Sequence, residues 1–156
     1  DLGTTEWVAN LGIALFAIPL VLFGPFAGRL AQRVGPFLVA GAGMGVAALF
    51  MGIYGVLATG GAIFAVAMIH SLTDGMSFAA SGVAVGMTAP EARQSGAQGV
   101  LGGMQALAAG LMAPFTGWLY ETSGQQTAYW FAAAVMIVLV VGGLLLAGPE
   151  ARRVKR

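Results

Sequence analysis

The chain has 156 residues, of which 58% are hydrophobic and 8% charged, with a mean hydropathy of +0.87. So few charges cannot cover an aqueous surface, and a soluble domain is excluded. Cysteine is absent, which excludes disulfides and thiol chemistry, and the net charge of +1 identifies no partner by itself.

A hydrocarbon core about 30 Å thick is crossed by about 20 apolar helical residues. Five apolar runs of that length predict an all-α polytopic membrane helix bundle with five transmembrane helices, at about 7–27, 37–58, 62–87, 97–119 and 127–147. A cytoplasmic tail follows at 148–156. The first run lacks the basic leading region of a signal peptide, since Asp1 and Glu6 precede it. No charge occurs from Val34 to Thr73, a stretch too long for one crossing, and Thr59-Gly60-Gly61 divides it where a tight turn belongs. Between the third and fourth runs, Thr88-Ala89-Pro90-Glu91 reads as a capping box at the start of the next helix.

The placement of charge orients these runs. All seven Lys and Arg fall in three segments, Arg29 with Arg33, then Arg93, then Arg152 to Arg156. Taken in order, the runs put all three segments on one side of a bilayer. Trp7, Trp118 and Trp130 gather toward the other side with Tyr54, Tyr120 and Tyr129. Basic loops stay cytoplasmic and amphipathic rings settle at the interface. The expectation is an integral protein of the cell (inner) membrane, with Asp1 outside and Arg156 in the cytoplasm.

An internal repeat is present. Pro25-Phe26-Ala27-Gly28-Arg29-Leu30, followed by Gly35, matches Pro114-Phe115-Thr116-Gly117-Trp118-Leu119, followed by Gly124, at identical spacing. The first copy closes a run on the basic side and the second on the aromatic side, so the repeat is inverted, as in many secondary transporters. A three-helix unit makes the last three runs a complete copy and the first two an incomplete one. The chain, which starts at Asp1 rather than Met, is therefore expected to be part of a longer protein.

The segment Gly28-Arg29-Leu30-Ala31-Gln32-Arg33-Val34-Gly35-Pro36 resembles the loop signature of the major facilitator superfamily, G-x-L-x-D-R-x-G, between the second and third helices of each six-helix half. Ala89-Pro90-Glu91-Ala92-Arg93, leading to Gly96, is similar to the loop entering the fifth helix of a half, and Pro114 to Gly124 resembles that helix's exit. The resemblance covers nearly the whole chain. It implies helices eight to twelve of a twelve-helix transporter, a C-terminal half fragment whose partner is the missing N-terminal half of the same transporter. It also implies secondary active transport of a small molecule, such as a drug, sugar or metabolite, by alternating access. Gln32 stands where the family has Asp, which removes the carboxylate of the charge latch attributed to this loop. Within the motif, Gly28 and Gly35 allow a tight interhelical turn, and Arg29 and Arg33 either gate or anchor it at the anionic surface.

The third run carries the ionisable chemistry. His70 and Asp74 lie one helical turn apart near the bilayer centre, where a carboxylate costs about 2.5–3.5 kcal/mol and should face protein or water. His70, Asp74, Ser77 and Ser81 form one polar stripe, and Gln98 with Gln105 forms a second on the next run, so two polar faces could line one cavity. The functional reading is a substrate or proton pathway in which His70 and Asp74 titrate as a coupled pair; the alternative reading is a buried pair that only fixes helix packing. Gly41 with Gly45, Gly82 with Gly86 and Gly99 with Gly103 are spaced for close helix contact.

Other classes have less support. Ser71 points about 100° away from its neighbour His70, and no second His, Cys or zinc motif exists, so the chain is not expected to be an enzyme. No phosphate-binding G-x-x-x-x-G-K-[ST] loop is present. No cofactor, metal or nucleic acid is expected. A non-transporting structural or assembly subunit of a membrane complex is the alternative function, because glycine-rich helices assemble well without transporting anything.

Overall fold

The computed structural model describes residues 6–148, with side chains described at Leu11 and from Phe16 to Gly148. Asp1 and the basic tail, and with them the expected terminal placements, lie outside the described residues. The described residues are helical almost throughout, with no strand: α1 Glu6–Val34, α2 Pro36–Tyr54, α3 Gly60–Thr88, a short 3-10 turn at Glu91–Arg93, and α4 Gln94–Ala147. Among the described residues, three stretches are long and apolar enough to cross a membrane, Pro36–Tyr54, Gly60–Thr88 and Glu91–Ala147. The last has 57 residues, about 85 Å of helix at 1.5 Å per residue, far beyond one crossing. Its backbone breaks at Gly124 (φ 84°, ψ 167°), which divides α4 into arms of residues 94–123 and 125–147.

The connections are tighter than the sequence suggests. The whole of Gly28 to Val34 is helical, so Arg29 and Arg33 ride exposed on the last turns of α1 and Gly35 alone makes the turn, at φ 118°. Pro36 then opens α2, its missing N–H costing nothing at a first helical position. Likewise, the connection expected at 120–126 shrinks to Gly124. At the other joint, α2 ends at Tyr54, short of 58, and Thr59 caps α3 by accepting from the Ala62 amide at 3.3 Å.

The capping box does not form. Thr88 is still the last residue of α3, and its hydroxyl donates to the Ala84 carbonyl at 2.7 Å. Pro90 forces Ala89 into extended backbone (ψ 140°), so Thr88 cannot serve as the cap of the following turn.

Packing is built on small side chains. Helix α3 is flanked by α1 and α2, and α2 also packs on α4, whose contacts with α3 are sparse. Ala31, Val39 and Ala80 form a buried cluster where α1, α2 and α3 meet, with Leu30 and Met76 against it. Two glycines set the helix approaches. A Cβ on Gly43 would lie 2.7 Å from Ser77 Oγ and 2.9 Å from the Thr73 carbonyl, and one on Gly75 would lie 3.4 Å from Leu20 Cα. The pairs expected from spacing do not play this part: Gly45, Gly86, Gly99 and Gly103 face open space, Gly82 would reach only the Gln98 amide, and Gly41 meets the Leu144 side chain at 3.3 Å. The close α2–α3 approach thus runs through Gly43, between the two glycines that spacing selects.

Candidate functional site

Asp74 stands at the midpoint of α3, and His70 one turn before it. His70 is 5% exposed and enclosed by rings from two other helices. Phe16 of α1 meets it edge-on at 6.4 Å between centroids, while Phe50 and Tyr54 of α2 lie at 5.4 and 5.6 Å. The Tyr54 hydroxyl is 3.3 Å from Nδ1. On the other edge of the ring, Nε2 is 3.6 Å from Asp74 Oδ1 and has no hydrogen-bond partner. That separation exceeds hydrogen-bond length, yet it is the only contact of opposite ionisable groups among the described residues. The Asp74 side chain is 31% exposed, so the pair joins a sealed imidazole to an accessible carboxyl group.

The rest of the stripe continues along α3. Ser77 donates to the Thr73 carbonyl at 3.0 Å and Ser81 to the Ser77 carbonyl at 2.7 Å. Each hydroxyl proton is spent on its own helix, leaving oxygen lone pairs free to accept. Gln98 reaches across from α4 and donates to the Gly82 carbonyl at 2.9 Å, and Gln94 repeats this at Gly86 at 3.0 Å. The bare glycine backbones leave both carbonyls open to these amides. Gln105 is exposed and makes no hydrogen bond among the described residues. The structure therefore brings His70, Asp74, Ser77 and Ser81 onto one helix face, joins Gln98 to that helix one residue beyond Ser81, and leaves Gln105 apart.

Tyr54 is the member that sequence reading missed. By composition it belongs to the aromatic set at the outer interface, and nothing in its spacing announces contact with a residue 16 positions on. It is 7% exposed, its ring lies against that of Tyr129 at 5.5 Å between centroids, tilted by 41°, and its carbonyl receives the Gln125 amide at 2.7 Å. The same amide donates to the Leu57 carbonyl at 2.8 Å, and the Trp130 indole to Gly52 at 3.2 Å. The second arm of α4 thus adds donors to carbonyls at and just beyond the end of α2.

A cleft of about 380 Å³ opens between α2 and the two arms of α4, lined by Met51, Thr116, Tyr120 and Tyr129 among others, and includes none of the His70 stripe. Among the described residues, no group of three His, Cys, Asp or Glu side chains could hold a metal ion.

No curated protein matches this chain. The sequence pattern of the Major Facilitator Superfamily matches residues 1–156, the full length. With that match, the apolar helices and the helix-only fold, the chain belongs to the Major Facilitator Superfamily and is an integral membrane protein of a transport family.

Proposed function

We propose that this chain is the C-terminal portion of a secondary transporter that moves a small molecule by alternating access, driven by protons, without chemically converting its cargo. The observation that carries the reading is the His70–Asp74 pair, a buried imidazole with a free nitrogen 3.6 Å from a carboxylate at the middle of an apolar helix. Ionisable groups at such depth are costly and mark ion or substrate paths. Asp74 takes and gives the proton, His70 shares it, and Ser77 and Ser81 offer acceptor oxygens along the same face. The paired Pro-to-Gly segments support a repeat built for rocking motions. The reading assigns five crossings, a cell-membrane location, a cytoplasmic C-terminus and a partner N-terminal half. Val100, Met104, Leu107 and Leu111, each 63–66% exposed on one face of α4, offer an apolar stripe to that half.

The test is Asp74→Asn in the transporter reconstituted in liposomes, with cargo first identified by screening labelled sugars and lipophilic cations. The amide is nearly isosteric, so folding and downhill exchange should persist. A proton crossing 100 mV gains about 2.3 kcal/mol, so uphill accumulation driven by a pH gradient should fall by more than tenfold. Undiminished accumulation by Asp74→Asn would end the proton-coupling reading.

A further inference from the structure

We infer that Asp74 selects the His70 tautomer by drawing the ring proton to Nε2, and that Tyr54 is the positioning residue that pairs the opposite nitrogen by donating to Nδ1. The inference deepens the proposed proton path and rests on it for its functional meaning, while its geometry stands apart. Neutral imidazole has one donor and one acceptor nitrogen, and the hydrogen bond made by one nitrogen sets the role of the other. Here the two ring nitrogens face unlike partners: Nδ1 faces the Tyr54 hydroxyl at 3.3 Å, and Nε2 faces Asp74 Oδ1 at 3.6 Å.

Only one of these partners can adapt. A tyrosine hydroxyl donates or accepts, whereas an ionised carboxylate only accepts. If Nδ1 carried the proton, the bare lone pair of Nε2 would confront the carboxylate oxygen, two acceptors turned on each other in a ring buried to 5% exposure. If Tyr54 donates to Nδ1, the Nε2 proton points at the carboxylate and both contacts are attractive. Among the described residues the surroundings supply no competitor: the other rings on His70 are Phe16 of α1 and Phe50 of α2, which carry no hydrogen-bonding groups, and α4 contributes Tyr129 only behind Tyr54.

The Tyr54 hydroxyl is itself held. Its backbone is tied to α4 through Gln125 at 2.7 Å and its ring packs against Tyr129 at 5.5 Å between centroids. A shift of α4 against α2 therefore moves the hydroxyl that pairs His70 Nδ1. This links the packing of α4 on α2 to the hydrogen bonding of the ring that faces Asp74.

The chain contains a single histidine, so uniform 15N-histidine labelling reports this ring alone. The experiment is solid-state 15N NMR of the protein in phosphatidylcholine bilayers at a pH where the imidazole is neutral. The wild type should show a protonated Nε2 and an unprotonated, hydrogen-bonded Nδ1. Tyr54→Phe keeps the ring and deletes the donor; the ring should stay protonated at Nε2, with the Nδ1 resonance shifted to that of a nitrogen without a hydrogen bond. Asp74→Asn replaces the carboxylate by a group that donates or accepts, as the Tyr54 hydroxyl does, so the ring should relax to a mixture of the two tautomers. A wild-type ring protonated at Nδ1, an Nδ1 resonance unaltered in Tyr54→Phe, or an unaltered tautomer in Asp74→Asn overturns the assignment. Should Tyr54→Phe fail to fold, a mixed tautomer in Asp74→Asn upholds selection by Asp74, and retention of protonated Nε2 alone refutes it. No cargo or transport enters the measurement, so its failure is distinct from failure of proton coupling.

Discussion

Gly35 and Gly124, the last residues of the two repeat copies, both take positive φ, 118° and 84°, and each breaks a helix that carries a proline ten residues upstream. The sequence similarity is thus matched by local backbone. A side chain is strained at either position whatever space surrounds it. Gly124 shows this most cleanly, because a Cβ there would meet nothing within 4 Å. Gly124→Ala should cost about 1–3 kcal/mol through backbone strain alone, read as a lower midpoint of thermal unfolding in detergent. An unchanged midpoint would mean that the break does not need glycine.

Gly43 and Gly45 make a paired test of helix approach. Gly43→Ala places its Cβ 2.7 Å from Ser77 Oγ and 2.9 Å from the Thr73 carbonyl, and the backbone oxygen cannot turn aside. Forcing α2 from α3 should cost about 1–3 kcal/mol, as overpacking typically does. Gly45 faces open space, so Gly45→Ala should be neutral or stabilising by up to about 1 kcal/mol, the helix propensity difference. Thermal unfolding of both variants in the same detergent checks the contrast, and equal losses would contradict it.

Gln98 and Gln105 share a helix face by spacing, but only Gln98 is bonded, to the Gly82 carbonyl at 2.9 Å. Gln98→Leu should lower stability by about 0.5–1.5 kcal/mol, one hydrogen bond. Gln105→Leu, at an exposed position, should leave it within about 0.5 kcal/mol of the parent. Chemical unfolding curves of the two variants decide, and the reverse order would show that α4 docks on α3 differently.

The proposed orientation is open to labelling, since the chain has no cysteine to interfere. Ala58 and Ser123 are exposed positions beside the joints at Thr59 and Gly124, and Gln32 is exposed beside Gly35. In intact cells, Ala58→Cys and Ser123→Cys should react with an impermeant maleimide, while Gln32→Cys should react only in inverted vesicles. Reaction of Gln32→Cys from outside would reverse the assigned topology.

Membrane class, helical architecture and the presence of divisions near Thr59 and near Gly124 were legible in the sequence, because each is local: apolar length, or glycines that interrupt an apolar run; the first break itself falls at residues 55–59, with Gly60 and Gly61 already inside α3. The His70–Ser81 stripe was legible for the same reason, a few polar groups at helical spacing standing out from an apolar background. The partners of those residues were not. In a membrane helix every face is apolar, so periodicity does not say which face meets a neighbour, and contact is chosen by the fit of small residues. Spacing selected Gly41 and Gly45, whereas the crossing of α2 on α3 uses Gly43. The capping box failed because Thr88 remained inside α3. Sequence alone determined that a carboxyl group and an imidazole lie together deep in an apolar helix. Only the tertiary structure decided that Tyr54 meets the far nitrogen of that imidazole, because this depends on how α2 is rotated and braced by α4, and no local pattern in an all-apolar helix encodes its rotation.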